Sequence, residues 1–218
     1  MLMCNYVIVD LEMCNVPQAV RQKGYQFRNE LIQIGAVLLG DDLEIADTFV
    51  SYVAPEYGVL DEYIESLTGI TNRDLQGASH LKEALQAFLD WLPADAIPVS
   101  WSMSDEKEIR KEVEFKNLVF DGLEQYLDRW IDCQKTFAER MHTEKRYKLS
   151  EALIIADIDL EDGEHDALVD ARNTALLFAK MQREPSLKLN PYYISEGNDN
   201  APAYCPFADL LANFDFAE

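Results

Sequence analysis

Residues 5–12, NYVIVDLE, consist of a β-branched apolar run that ends in two carboxylates. Such a run predicts a buried strand from Asn5 to Leu11. Since the side chains of a strand alternate between the two faces of a sheet, Asp10 and Glu12 fall on one face at the strand end. Neighbouring carboxylates repel each other unless a cation joins them. The stretch therefore predicts the beginning of a metal site.

The spacing Asp-x-Glu is a weak signal by itself, since it occurs three times in the chain. Asp42 and Glu44 fall in a turn, and Asp162 and Glu164 fall in a loop, where a solvated surface explains both pairs. Only the pair that begins at Asp10 follows an apolar strand. This position favours a functional interpretation.

Outward from this strand, apolar runs and helical periodicity predict alternating elements. Four further strands are expected at residues 31–39, 44–53, 97–101 and 130–133, with a hairpin turn at residues 40–42. Helices are expected at residues 61–67, 80–92 and 166–183, and another follows Ser104 as its cap. Residues 13–29 read as a loop. The pattern indicates an α/β fold with a mixed five-stranded sheet flanked by helices.

Two later segments carry the remaining candidate catalytic groups. His165 lies at the entry of the last predicted helix and Asp170 on its second turn, so both can face a cleft at the helix start. Electrostatics at the helix start explain Asp166, and they are an alternative explanation for Asp105, which follows the fourth predicted strand. A surface histidine beside an acidic helix start is the alternative interpretation of His165.

Together, these residues resemble the DEDDh 3′–5′ exonucleases of the ribonuclease H-like superfamily. The resemblance extends over about residues 5–180 and includes 30–39 (ELIQIGAVLL), 67–71 (LTGIT) and 166–175 (DALVDARNTA). Within the group, the chain is most similar to the histone-mRNA and RNA-silencing 3′ exonucleases and to the bacterial sporulation-inhibitor exonucleases. The resemblance implies a ribonuclease H-like three-layer fold. The third motif fits loosely at Asp105, and the 13–29 loop is longer than the family needs.

The resemblance also implies the chemistry. Oxygen ligands without thiolates favour Mg²⁺ or Mn²⁺ over zinc, and two such ions can clamp the attacking and leaving oxygens of a phosphodiester. Asp10, Glu12 and Asp170 would hold the first ion, with Asp10 bridging, and Asp105 would act on the second. His165 would be the general base, since an imidazole with an ordinary pKa near 6.5 suits that task.

Five apolar or small polar residues are expected to contact the substrate by the same resemblance. They are Met13, Cys14, Leu67, Thr68 and Ile70. Core packing after a short helix is the alternative explanation for Leu67, Thr68 and Ile70.

The charge balance limits the kind of nucleic acid that the protein binds. The chain has 40 Asp and Glu against 19 Lys and Arg, a net charge of −21, which argues against coating of long nucleic acid. No acidic residue lies between Glu12 and Glu30, where Arg21, Lys23 and Arg28 alternate with aromatic residues. These cations are predicted to contact the strand. A second basic excess occupies residues 135–148, and both windows can equally be ordinary surface loops.

Domain and compartment follow from composition. Residues 1–183 are expected to form an exonuclease domain, and residues 184–218, rich in proline and aromatic residues, a tail packed on it or a segment that binds a protein partner. The four cysteines form no CxxC pair, which indicates reduced thiols. A basic signal sequence and a long apolar run are both lacking, so we expect a cytoplasmic protein without a membrane span. The oligomeric state is open.

The sequence therefore predicts a metal-dependent 3′–5′ exonuclease that hydrolyses single-stranded nucleic acid to nucleoside 5′-monophosphates. RNA is preferred, or short oligonucleotides, by the subfamily resemblance alone. Two alternatives remain: a proofreading-type DNA exonuclease subunit that docks through the aromatic tail, and a regulatory binding protein that retains the fold.

Overall fold

A five-stranded mixed sheet lies at the centre of the molecule. The computed structural model describes residues 5–163 and 165–193. The strands are β1 (Tyr6–Asn15), β2 (Asn29–Leu39), β3 (Ile45–Tyr52), β4 (Ile97–Ser100) and β5 (Ile131–Asp132). Their order in the sheet is β3-β2-β1-β4-β5. The first three strands pair antiparallel, and β1 pairs parallel with β4, as β4 does with β5.

Helices cover both faces of this sheet within the described residues. They are α1 (Gln18–Arg21), α2 (Glu62–Thr68), α3 (Asn72–Leu75), α4 (Leu81–Trp91), α5 (Ser104–Phe115), α6 (Leu123–Leu127), α7 (Cys133–Arg140), α8 (Leu149–Ile155) and α9 (Ala167–Arg183). The core residues of α4, α5 and α6 pack on one face, and those of α7, α8 and α9 on the other. This arrangement confirms the predicted three-layer α/β fold.

The alternation of side chains along β1 divides the two cores. Val7, Val9 and Leu11 join the cluster under α4, α5 and α6. Ile8 joins the cluster under α7, α8 and α9. Asp10 follows Ile8 on the same face, since successive side chains of a strand point to opposite faces. The carboxylates of β1 therefore face the layer that contains α9.

Several predicted boundaries were wrong because pairing between distant segments sets them. β1 does not end after Glu12 but continues to Asn15, paired with the first residues of β2 across a register shift between Glu12 and Met13. The predicted 13–29 loop is therefore shorter and contains α1. The fifth strand has only two residues, Ile131 and Asp132, because α7 begins directly after it.

The helix starts also differ from the prediction. Ser104 is the first residue of α5 rather than its cap, which is Met103. Asp170 lies in the first turn of α9 rather than the second, because that helix begins one residue later, at Ala167. The helices α6, α7 and α8 were not predicted, since segments of five to eight residues give little periodic signal and depend on tertiary packing.

A buried ionic network connects β2, α5 and the segment that leads to α2. The Glu30 carboxylate, fully buried, accepts hydrogen bonds from the backbone N–H groups of Tyr57 (2.7 Å) and Gly58 (2.5 Å). The Lys116 ammonium lies 2.8 Å from Glu30 and 3.0 Å from Glu112. Glu112 in turn accepts the backbone N–H of Leu31 at 2.6 Å. These contacts connect β2 and α5 to the segment that leads to α2.

The first ten residues of the predicted tail pack on the domain. Leu187, Leu189 and Tyr193 contact the core under α8 and α9. The backbone N–H of Asn190 donates to the Ile155 carbonyl at 2.8 Å. The rest of the tail lies outside the described residues, so its predicted packing and partner role stay predictions. Within the described residues, no helix is both long and apolar enough to cross a membrane.

Candidate active site

Gly35 and Gln33 lie opposite the two carboxylates of β1 in the sheet. In the β1–β2 ladder Asp10 pairs with Gly35, and Glu12 pairs with Gln33. A Cβ atom at Gly35 would lie 2.5 Å from the carbonyl oxygen of Ala167, and closer still to that residue's carbonyl carbon. Only glycine therefore allows the first turn of α9 to lie directly on the sheet beside Asp10.

Gln33 holds the start of α9 in that position. Its buried side chain accepts the backbone N–H of Ala167 at 3.1 Å and donates to the Asp166 carboxylate at 3.2 Å. The other oxygen of Asp166 caps α9 by accepting from the N–H groups of Leu168 and Val169. Gln33 and Gly35 are positioning residues that sequence reasoning missed. The signal was present in the sequence, since both belong to the quoted 30–39 motif.

The turn before α9 folds His165 back onto Asp170. His165 has a φ of 70°, in the left-handed region, and its backbone N–H donates to the Asp170 carboxylate at 3.0 Å. Ligand atoms of Glu12, His165 and Asp170 all lie within 4.8 Å of one another. The strand pair and the last helix therefore bring together residues more than 150 positions apart in the chain.

Asp105 reaches the same place from the start of α5. Its buried carboxylate accepts the backbone N–H of Leu11 at 3.2 Å and the hydroxyl of Ser104 at 3.2 Å. Because Leu11 lies between Asp10 and Glu12, Asp105 is bonded to the strand between the two carboxylates. Asp105, from the loosely fitting third motif, therefore lies near Asp10 and Glu12, and its role as a metal ligand stays a prediction.

Burial and mutual repulsion raise the pKa values of these acids. Burial, followed by the charge of Asp170, raises the pKa of Glu12 from its usual 4.5 to about 8. Burial also raises the pKa of Asp105 to about 7. The pKa of Asp10 is raised well above its usual range by burial and then by Asp105 and Asp170. A divalent cation would relieve this repulsion, and the oxygen-rich donor set fits one.

The acids open into a cavity of about 500 Å³ that a substrate can enter. Its lining includes Asp10, His165 and Asp170. The rest comes from the segment that joins α7 to α8 and from neighbouring residues: Trp101, Gln134, Arg146, Tyr147, Lys148, Leu149, Ser150 and Leu160. A separate cavity of about 560 Å³, between β3 and the end of α9, contains none of the predicted catalytic residues.

The predicted substrate contacts fall into two groups by exposure. Cys14, Thr68 and Ile70 are buried, Cys14 and Ile70 in a small apolar cluster between β1, β2 and α2. The Thr68 hydroxyl donates to the Ile64 carbonyl at 2.9 Å. Met13 and Leu67 are half-buried and keep surface for a ligand. The role of all five residues as substrate contacts stays a prediction.

The predicted cations of the 13–29 window lie around α1. Lys23 and Arg28 are exposed, and Arg21 is half-buried. None of the three lines the cavity that contains Asp10 and His165. Cations of the second window, Arg146 and Lys148, do line it.

The three-layer fold and the convergent carboxylates define a nuclease of the ribonuclease H-like class. The chain belongs to the RNase_T exonuclease family, whose model matches residues 7–178. This match confirms the predicted resemblance and the α/β fold. Exonucleases of the DEDDh type depend on divalent metal ions, in agreement with the acidic cluster.

Three relatives show how far the similarity extends. ERI1 exoribonuclease 2 of Mus musculus is 32% identical over 188 residues, covering 72% of this chain and 26% of that protein. The chain therefore spans about a quarter of that relative's length. DNA polymerase III subunit epsilon of Aquifex aeolicus (strain VF5) is 28% identical over 193 residues. The match covers 86% of this chain and 86% of that protein. The nuclease domain of 3′hExo, a DEDDh family member bound to rAMP, superimposes with a TM-score of 0.71 at 26% identity, covering 87% of this chain and 97% of that domain.

Proposed function

We propose that this protein is a divalent-metal-dependent 3′–5′ exonuclease that removes nucleoside 5′-monophosphates from single-stranded RNA. One cluster carries the proposal: Asp10, His165 and Asp170 line one cavity, and Glu12 has a ligand atom within 4.8 Å of those of His165 and Asp170. Asp105 joins this cluster through its bond to the backbone N–H of Leu11. The names of the murine exoribonuclease and of the rAMP-bound nuclease domain support RNA as the substrate.

Within this proposal, each residue has a defined task. Asp10, Glu12 and Asp170 would hold one cation and Asp105 would act on a second, Mg²⁺ or Mn²⁺ in each case. When bound, such ions neutralise the developing charge on a phosphodiester and lower the pKa of water. His165 takes the proton from the attacking water as general base. The backbone N–H of His165, bonded to Asp170, fixes the distance between the base and the acids.

An assay with oligomers labelled at either end tests the function. RNA and DNA of the same sequence are incubated with Mn²⁺, with Mg²⁺ or with EDTA. We expect release of mononucleotides from the 3′ end with either metal, no release in EDTA and none from Asp10→Asn. Internal cuts, or release of label from the 5′ end first, would contradict the proposal.

A DNA exonuclease subunit is the second candidate. The bacterial epsilon subunit supports it, since that relative and this chain cover each other almost completely. A higher kcat/KM for DNA than for RNA, together with copurification of a polymerase, would favour this candidate. A regulatory binding protein would bind the oligomers without metal-dependent release. The cluster of Glu12, His165 and Asp170, with Asp10 in the same cavity lining, supports an enzyme over that third alternative.

We propose a cytoplasmic location because the described cysteines are free thiols. Cys14 and Cys133 are free and buried, as expected in a reducing compartment. A protein partner that binds the aromatic segment of residues 194–218, which lies outside the described residues, remains part of the proposal.

A further inference from the structure

The lining of the active-site cavity contains two cationic residues besides the carboxylates. Arg146 and Lys148 line the cavity together with the amide side chain of Gln134. Both cationic residues are exposed, and neither forms an ion pair with another described residue. The cavity lining therefore combines the acids Asp10 and Asp170 with two exposed cations.

Further cations lie beyond the active-site cavity. A second groove, of about 400 Å³, shares Gln134 and Arg146 with the active-site cavity. Lys135 and Lys145 also line this groove, together with the acids Asp132, Glu139 and Glu144. Two adjoining cavities thus form one path from the catalytic acids along the segment between α7 and α8. We call the four cations Lys135, Lys145, Arg146 and Lys148 the basic track.

The backbone beneath the basic track is firmly held. Tyr147, between Arg146 and Lys148, is buried, and its ring packs edge-on against Phe137 at 5.2 Å. The Tyr147 carbonyl accepts the Gln134 side chain at 2.7 Å, and the Gln134 backbone N–H donates to the Trp101 carbonyl at 2.7 Å. These contacts connect the backbone that carries Arg146 and Lys148 to the end of β4.

The local charge is exceptional for this chain. Residues 135–148 contain five Lys and Arg against two Glu, although acids outnumber bases by about two to one in the whole chain. Lys145 pairs with Glu151 at 2.7 Å, and Lys135 lies 4.0 Å from Glu139. A net positive segment therefore adjoins the most acidic site of an acidic protein.

We propose that the basic track binds the phosphodiester backbone of the strand on the 5′ side of the scissile bond. The proposal rests on the exonuclease function above and adds where the remaining strand lies. Cations attract the phosphates that the carboxylates and the net charge of −21 repel, and backbone contacts carry no sequence preference. The ligand is a single-stranded polynucleotide, and the contacts predicted for Arg21, Lys23 and Arg28 stay a separate prediction.

The double variant Arg146→Gln/Lys148→Gln tests the proposal. Its matched control is Lys82→Gln/Arg129→Gln, which removes the same charge from exposed positions in α4 and after α6, on the opposite face of the sheet. Binding of a 5′-fluorescein-labelled RNA 12-mer is measured by anisotropy, with Ca²⁺ present, across a salt series.

We expect the track variant to bind roughly tenfold more weakly and its plot of log K against log salt to be shallower by about 1.4, since each phosphate contact on a single strand contributes about 0.7. The control should keep the wild-type slope. With Mn²⁺, the KM of the track variant for the 12-mer should rise while kcat stays within about threefold.

An unchanged salt slope and KM in the track variant would overturn the basic track. Hydrolysis of 4-nitrophenyl thymidine 5′-phosphate by the wild-type protein tests the catalytic centre separately, because this substrate has no upstream strand. If the wild-type protein hydrolyses the ester and the track variant behaves as the wild type does on the 12-mer, only the basic track is refuted. Failure of the wild-type protein on both the ester and the 12-mer refutes the proposed function.

Discussion

At the residue scale, the backbone of His165 contributes to the site together with its imidazole ring. A φ of 70° is unfavourable for a residue with a side chain, and it persists here because the N–H bond to Asp170 stabilises the turn. The turn brings the imidazole next to Glu12 and Asp170. Without it, a histidine ahead of the helix would lie farther from the acids.

Substitution of His165 should remove the base without changing the backbone. Asparagine tolerates the left-handed conformation but cannot accept a proton near neutral pH. We expect His165→Asn to lower kcat by roughly 10²–10⁴-fold, as for other general bases, in an oligonucleotide assay with Mn²⁺. His142→Asn is the matched control, since His142 is exposed and has a φ of 53°. A kcat for His165→Asn within twofold of wild type would exclude the base role.

The raised pKa of Glu12 predicts a pH-dependent stability when metal is removed. Because the folded protein holds this proton more tightly than the unfolded chain, the stabilisation is fully present below pH 4.5 and is lost as the pH rises through about 8. The slope approaches about 1.4 kcal/mol per pH unit within that window.

Urea unfolding in EDTA at pH 5.5 and 7.5 measures this effect. The free energy of unfolding of the wild type should fall more steeply between the two pH values than that of Glu12→Gln, which has no titrating group there. Addition of Mn²⁺ at pH 7.5 should stabilise the wild type. Parallel pH dependence in the two proteins would show that Glu12 does not titrate as expected.

At the element scale, the contact between β2 and the first turn of α9 assembles the site. Gly35 permits the close approach, and Gln33 bonds to both Asp166 and Ala167. The sheet provides Asp10 and Glu12, and the helix provides the groups that meet them. The distance between these two elements therefore controls the whole constellation.

A methyl group at this contact should separate the two elements. Gly35→Ala places a Cβ atom against helix backbone that cannot rotate away, so α9 must move. We expect a loss of about 3 kcal/mol in the free energy of unfolding, and a fall of roughly 10²-fold in kcat as the site opens. In Gly40→Ala the nearest atom, 3.2 Å away, belongs to the Asp42 side chain, so both quantities should stay near wild type.

The Lys116 network should stabilise the β2–α5 connection. Lys116→Met leaves the buried carboxylates Glu30 and Glu112 without their cation, which should cost about 3–5 kcal/mol in urea unfolding at pH 7.5. Lys107→Met, exposed on the same helix, is the control and should change little. Addition of Glu112→Gln to Lys116→Met should restore part of the loss. Equal stability of the Lys116 and Lys107 variants would contradict this account.

At the scale of the whole molecule, charge and domain extent determine how the protein meets a substrate. Of the two basic windows in an otherwise acidic chain, only residues 135–148 contribute cations to the active-site cavity. Residues 184–193 complete the core on the α9 face, beyond the end of the family match at residue 178.

Truncation should show how residues 184–193 and the residues after them contribute to stability and activity. A chain that ends at Tyr193 retains Leu187 and Leu189 in their contacts, and we expect its kcat/KM to equal that of the full chain. A chain that ends at Arg183 loses this packing and should be less stable by about 1–3 kcal/mol in urea unfolding. Equal midpoints for the two truncated chains would place the domain end at Arg183.

The elements that the sequence predicted well are those with strong local patterns. The apolar run of β1, the hairpin after β2 and the periodicity of α4 and α9 each lie within one short segment. The extension of β1 beyond Glu12 and the short helices α6 to α8 depend on partners far along the chain, so local patterns did not indicate them. Among the candidate residues, Asp10, His165 and Asp170 line one cavity, whereas the cations around α1 do not and Arg146 and Lys148 do.

The amino-acid sequence was enough to predict the fold class, because periodicity is a property of neighbouring positions, and its motifs showed the resemblance to the family. The same resemblance supplied the candidate residues of the acidic centre. The tertiary structure alone decided which groups surround that centre. The approach of α9 to Gly35, the bond from Leu11 to Asp105 and the position of Arg146 in the cavity lining join segments from tens to more than a hundred residues apart. Such contacts arise from packing, bonding and charge in the folded chain, and no local pattern records them.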